Sequence, residues 1–238
     1  KNLDQRPVAS TSSLSALRER IALPLQDLGI KPARVIDELV SMTEGGHLGS
    51  AGGRFFAWVI GGSLESALAA DWLTTAWEQN AALYACGPAV SVIEEVAGNW
   101  VKELLDLPRE ASFAFTTGCQ LAHFTCLAAA RHRVLADLNW DVENDGLVGA
   151  PRIRILTSEL RHGSVDRAVR FLGFGTRALQ SLPVDANGRI CPDALISALN
   201  ASSEPVILVL DAADLNIGAF DPFAELIPLA KAHGAWVH

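Results

Sequence analysis

The chain has 238 residues, of which 50% are hydrophobic and 19% charged, a balance that excludes a disordered chain and leaves ample material for a buried core. A net charge of −8 argues against binding nucleic acid or an anionic membrane surface, while leaving room for a local basic pocket that takes a small anion. No apolar run approaches a membrane span, and the opening KNLDQRPVASTSSLS lacks the apolar stretch of a secretory signal. Cys86, Cys119, Cys126 and Cys191 form no CxxC pair, so free thiols in a reducing cytoplasm are expected.

In chain order, residues 1–50 read as an N-terminal helical arm: a helix near 12–22, a break at Pro24 and Gly29, and a second helix from Pro32, a first-turn proline, to about Glu44. EGGHLGSAGGRFF follows, a glycine-rich loop of the kind that carries function. RFFAWVIGGS is apolar and aromatic; Phe55 or Phe56 is expected in the core, and Trp58 either there or lining a pocket. Residues 63–83 and 89–107 are helical by period and propensity.

From about residue 112 strands alternate with helices. SFAFTT reads as a short strand before a helix over 119–137. Strands are expected at 152–158, 178–184, 205–212 and from 235, with helices at 163–172, 191–200 and 221–234 between them. This alternation predicts an α/β fold with a mostly parallel sheet flanked by helices, and ligands in such sheets bind beyond the carboxyl ends of the strands. The chain stops inside its last strand, GAWVH, so it is expected to be a fragment or one piece of a split protein.

Several stretches at the expected strand ends could carry chemistry. In TTGCQLAHFTCLAAARHRV a turn through Gly118 leads into a helix, aiming backbone N–H groups and the positive helix end at one point, as phosphate binding requires. Cys119, His123 and Cys126 share a helix face at i, i+4 and i+7; zinc would still need a further ligand, and the Ala- and Leu-rich surroundings favour burial of the cysteines instead. His162 is either a capping-loop histidine, with Gly163 or Ser164 near the N-cap, or a flat ring beside the phosphate turn that stacks on a planar ligand. Asp214 and Asn216 either cap a turn or hydrogen-bond a ligand. Asp221 before Pro222 reads as an N-cap, and Asp211 at the strand end is a carboxylate in need of partners.

Taken in order, RFFAWVIGGSLESALAADWLTTAWEQNAALYACGPAVSVIEEVAGNWVKELLDLP, TTGCQLAHFTCLAAARHRVL, RHGSVDRAVRFLGFG, LPVDANGRICPDAL, NIGAFDP and AHGAWVH resemble the group II amino-acid decarboxylases that depend on pyridoxal 5′-phosphate (PLP), which include aromatic-amino-acid and glutamate decarboxylases. The resemblance runs over nearly the whole chain and is nearest to bacterial members. It implies the large domain of a fold-type I (aspartate-aminotransferase-like) enzyme over 51–238, entered from the dimerising arm, in a cytoplasmic homodimer with active sites at the interface. By position it implies that Gly118, Cys119 and Gln120 hold the PLP phosphate, that His162 stacks on the pyridine ring and serves catalysis, that Asp214 and Asn216 lie near the cofactor, and that Trp58 and Ile60 lie near an amino-acid substrate.

The implied reaction converts an L-amino acid to an amine and CO₂. The family's pyridine-pairing aspartate falls just beyond His238 and its Schiff-base lysine further on; Lys1, Lys31, Lys102 and Lys231 do not match that lysine, so the rest of the site is expected from a continuation or a companion chain. Another fold-type I enzyme, a lyase or aminotransferase-like protein, and a non-catalytic subunit are the alternatives. The sequence departs from the family at Cys119 and Gln120, where a small residue and Ser or Thr are usual, at His123, where Asn or Thr is usual, and at Gly52-Gly53, which replace a His-Pro.

Overall fold

The structure, a computed structural model, describes residues 5–238, so Lys1 and its neighbours in the predicted arm lie outside the described residues. The chain divides into two compact units, one ending at Val90 and one running from Ser91 to His238.

The first unit holds three α-helices among its described residues: α1 (Leu14–Ile21), α2 (Pro32–Met42) and α3 (Glu65–Trp77). Helix α1 begins where the Ser13 side chain accepts the Ala16 N–H, and α2 begins with its proline in the first turn, as expected. Arg20 bonds Ser12 Oγ at 3.0 Å and the Glu44 carbonyl at 3.1 Å, tying α1 to the glycine-rich stretch behind α2. Helix α3 stops at Trp77, short of the predicted end, because Glu78 turns left-handed (φ 48°) and Asn80 Oδ1 accepts the Ala82 N–H in a turn. Its Trp72, Leu73 and Trp77 are exposed. Of Phe55 and Phe56, one of them expected in the core, Phe56 is 92% exposed and Phe55 is half-buried with its ring 6.2 Å from that of Trp58.

The second unit is built on a four-stranded, all-parallel sheet: β1 (Arg154–Ser158), β2 (Leu179–Leu182), β3 (Val206–Val209) and β4 (Trp236–Val237), in the order β2-β1-β3-β4. Helices α4 (Pro88–Leu104), α5 (Gly118–Ala136), α6 (Val142–Asp145), α7 (Gly163–Phe171), α8 (Pro192–Asn200) and α9 (Phe223–Ala232) accompany it. Strands β1 and β3 are buried throughout, and β3 is the continuous apolar strand that burial on both faces requires. Ile155, Ile207 and Val209 pack with Leu127 and Leu135 of α5 and Val165 and Val169 of α7; Leu156 and Leu208 pack on the other face with Leu195 of α8 and Leu226 of α9. Each fully buried Leu or Ile contributes roughly 2 kcal/mol before the loss of chain entropy is set against it. Among the described residues no helix is long and apolar enough to cross a membrane.

The strand expected at SFAFTT is absent: residues 112–116 have no sheet partner. They lie instead against α4, where the Phe113 ring meets the space left by Gly98 and sits 5.7 Å below the Lys102 ammonium. Lys102 is itself buried and donates to the carbonyls of Arg109 (2.7 Å) and Ala111 (2.9 Å), fixing the loop that leads toward α5. The short helix α6, which periodicity did not signal, is nucleated by Asp141, whose Oδ1 accepts the Glu143 and Asn144 N–H groups.

Sheet order decides where a ligand can sit. From β1 the chain passes through α7 to β2 on one side, then crosses to β3 and continues to β4 on the other. The direction of winding therefore reverses between β1 and β3, and the loops leaving those two strands diverge and open a crevice at their carboxyl ends.

Candidate functional site

Gly118 opens α5 with φ +78°, a conformation that favours glycine, and nothing lies within 4 Å of where a Cβ would stand. Thr117, at the N-cap, makes no side-chain cap bond. The Gly118 N–H, expected to face an anion, donates instead to the Thr116 carbonyl at 2.9 Å, so the donors this helix end offers, with its positive dipole, are the N–H groups of the residues that follow. The Gln120 side chain is engaged elsewhere. Its Nε2 donates to the Ser164 carbonyl (3.2 Å) and its Oε1 accepts from Arg167 Nε (2.8 Å), bracing α5 against α7. Of Gln120, only the backbone N–H is left to face an anion.

His162 leaves β1 as the N-cap of α7, a position expected for Gly163 or Ser164. Its Nδ1 lies 2.8 Å from Ser164 Oγ and accepts the Ser164 N–H at 3.3 Å, which fixes the ring plane and leaves Nε2 outward. The preceding turn is stapled by Arg161, whose guanidinium grips Asp166 with two bonds of 3.0 and 2.9 Å and also reaches Ser181 Oγ at 2.9 Å on β2. The ring is thus presented at the β1 side of the crevice on a rigid mount.

The β3 side is organised by its aspartates. Asp214 accepts the N–H groups of Asn216 (2.8 Å) and Ile217 (2.9 Å), so its carboxylate closes its own loop and takes the turn-capping alternative; Asn216 is exposed there. Asp221 is not the N-cap predicted for it. It is buried, its Oδ1 accepts Ile190 N–H and its Oδ2 accepts Asp211 N–H, each at 2.8 Å, and it clamps both ends of the 211–221 loop to the segment before α8. Asp211 lines a small cavity of about 30 Å³ at the crevice with His123, Thr157, Ser158 and His162. Burial, with Asp221 and Asp214 nearby, pushes its carboxyl above the usual range, against the pull of His123 and His162.

His123, whose role the helix spacing left open, finds its partner outside α5. It faces neither cysteine in a shared metal site; among the described residues no group of three His, Cys, Asp or Glu side chains could hold a metal ion. Its Nδ1 lies 2.8 Å from Nε2 of His238, with ring centroids 5.1 Å apart. Burial lowers the pKa of both imidazoles, that of His238 to about 4, so the pair is neutral near pH 7 and one ring donates while the other accepts. Cys119 and Cys126 are exposed, contrary to the burial expected of them, because α5 turns Leu127, Ala130 and Val134 to the core and leaves the cysteines off that stripe. Trp58 and Ile60 belong to the first unit, where both are exposed in an irregular stretch and Trp58 has a left-handed backbone (φ 56°).

The open helix start of α5, the fixed imidazole of His162 and the carboxylate of Asp211 belong to an α/β protein with a parallel sheet whose winding reverses between β1 and β3. The comparisons with known proteins show the family. The family model for the pyridoxal-dependent decarboxylase conserved domain matches residues 42–238, and the chain belongs to that family. It is 27% identical to an aromatic-L-amino-acid decarboxylase of Bacillus atrophaeus over 100% of this chain and 48% of the relative, and 32% identical to an L-2,4-diaminobutyrate decarboxylase of Rhizobium meliloti over 72% of this chain and 33% of the relative. In fold it matches the glutamate decarboxylase domain of a Vibrio parahaemolyticus diaminobutyrate-pyruvate transaminase and L-2,4-diaminobutyrate decarboxylase, with a TM-score of 0.91, 23% identity, and coverage of 98% of this chain and 52% of the other. The chain thus spans between a third and a half of the length of these two curated relatives.

Proposed function

We propose that this chain forms the cofactor-binding part of a PLP-dependent carboxy-lyase that converts an L-amino acid to an amine and CO₂. The family match over residues 42–238 carries the reading. The residues present fit the cofactor: the open space before Gly118 and the first turn of α5, which has no side-chain cap, suit a phosphate dianion bound through the N–H groups of Cys119 and Gln120, while Gly118, its own N–H held by the Thr116 carbonyl, shapes the turn. His162, held by Ser164 and mounted by Arg161, offers a flat ring for the pyridine to stack on and an Nε2 that can hold a proton at the substrate. Asp211 and the Asp214–Asn216 turn wall the β3 side. When bound, PLP supplies the sink for the electron pair released as CO₂ departs.

Trp58 and Ile60 would contribute to the substrate side, and the enzyme would act as a cytoplasmic homodimer. The exposed apolar surface of the first unit, with Trp72, Trp77 and Leu68 on α3, supports a subunit interface, since a patch of this kind is costly to leave in water. The free thiols suit a reducing compartment. Lys102 is not the lysine that links PLP: its ammonium is occupied by two carbonyls. The full-length protein carrying this chain, incubated with aromatic, acidic and basic L-amino acids, should release CO₂ and the matching amine from one class, and PLP should be recovered from the purified protein. A keto acid formed without CO₂ would refute the decarboxylase reading, and failure to recover PLP would refute the cofactor.

A further inference from the structure

The start of α5 and the last strand are far apart in the chain; beside the apolar packing of Trp236 on the core that α5 shares, a pair of imidazoles joins them. Strand β4 is short and is registered to β3 through two residue pairs, Ile207 with Trp236 and Leu208 with Val237. The backbone of His238 prolongs the pairing, donating to the Leu208 carbonyl and accepting the Leu210 N–H, both at 2.8 Å. The side chain of His238 turns toward α5, where Nε2 meets Nδ1 of His123 at 2.8 Å. His123 lies five residues beyond Gly118 on the same helix and shares a cavity wall with Thr157, His162 and Asp211.

We propose that His123 is a positioning residue: its bond to His238 fixes the carboxyl end of β4 relative to the amino end of α5, and so sets the spacing between the phosphate cradle and the sheet edge beside the ligand's ring. The inference rests on the PLP reading above. The chemistry favours imidazole here. Each ring has one donor and one acceptor nitrogen when neutral, so a single N–H···N bond satisfies Nδ1 of one and Nε2 of the other in either tautomeric arrangement. An aliphatic side chain at 123 would leave His238 Nε2 partly buried and unpaired, whereas an asparagine amide lies near the place of Nδ1 and can serve as donor or acceptor.

The test uses the full-length protein as wild type, His123→Leu and His123→Asn. In the wild type without cofactor, ¹⁵N NMR should show a coupling across the hydrogen bond between His123 Nδ1 and His238 Nε2; absence of that coupling overturns the inference whatever the fate of the variants. Titration with PLP and, separately, with inorganic phosphate should show H123L losing about tenfold in PLP affinity, the equivalent of one hydrogen bond, with phosphate affinity unchanged and H123N within about twofold of wild type. Equal PLP affinity in H123L and wild type, a parallel loss of phosphate and PLP, or a folded H123N as weak as H123L would each overturn it. Wild type that binds phosphate but not PLP, with the ¹⁵N coupling present, would instead overturn the cofactor reading beneath it.

Discussion

Asp221 offers a test in which magnitude separates two accounts of one residue. As an N-cap before Pro222 it would contribute about 1 kcal/mol, and Asp221→Ser would preserve most of that because serine caps well. The structure gives it two bonds of 2.8 Å from the buried side of the fold, to Ile190 N–H and Asp211 N–H. Asp221→Ala would remove a carboxylate acceptor from two backbone donors, each bond to a charged group being worth about 1.5–3 kcal/mol, so the expected loss is roughly 3–6 kcal/mol. Serine is too short to span both donors and should lose nearly as much as alanine, while Asp221→Asn keeps one carbonyl acceptor and should lose about half as much. Urea denaturation of the full-length protein reads the global loss, and amide hydrogen exchange reads it locally, since the Ile190 and Asp211 amides should lose protection in D221A and D221S before their neighbours do. A loss near 1 kcal/mol in D221A, with D221S close to wild type and both amides still protected, would refute the clamp and restore the cap.

Three further outcomes are expected. Gly118→Ala should cost about 1 kcal/mol of stability through its left-handed backbone, with no steric clash because the space is open, and should weaken PLP binding; equal melting temperatures would contradict the assigned φ of +78°. Lys102→Met should cost about 2–4 kcal/mol by leaving the Arg109 and Ala111 carbonyls without their charged donor, measured by thermal melting followed by circular dichroism, and an unchanged melting temperature would rule out the buried latch. The His238 imidazole, held at about 4 against an ordinary 6.5, binds a proton less readily folded than unfolded, so its contribution to stability is complete above pH 6.5 and is lost as pH falls toward 4. That loss is on the order of 3 kcal/mol. Denaturation midpoints at about pH 7, 5.5 and 4 in wild type and His238→Gln should converge at the acid end, and parallel curves would contradict the depressed imidazole.

Much of the second unit was legible because period and punctuation agree there. Pro192 and Gly173 mark helix ends near where they fall, and the apolar run at 205–212 contains a strand buried on both faces. The expected strand at SFAFTT failed for a reason that local pattern cannot contain: alternation of Phe and small residues suits a strand, but a strand also needs a partner, and Phe113 found α4 and Lys102 instead. Cys126 was misjudged likewise, since an Ala-rich helix does not announce which face the sheet will cover.

The candidate site divides along the same line. Gly118, the helix behind it and His162 at the start of the next helix are local features, read from turn chemistry and capping, and the ordered motifs pointed to the family that the comparisons then showed. The roles of Asp221, Gln120 and His123 could not be read that way, because their partners lie 10 and 31, 44 and 47, and 115 residues away. Those contacts exist only because the sheet takes the order β2-β1-β3-β4 and reverses its winding between β1 and β3. The sequence by itself determined most of the helices and the strands of the sheet, and which few residue types carry the chemistry, since propensity, capping and patterning act over a turn or two; it did not determine that SFAFTT would find no strand partner. The tertiary structure alone decided which polar side chains meet, since a buried donor or acceptor must be satisfied by whatever group the packing of distant segments brings within about 3 Å.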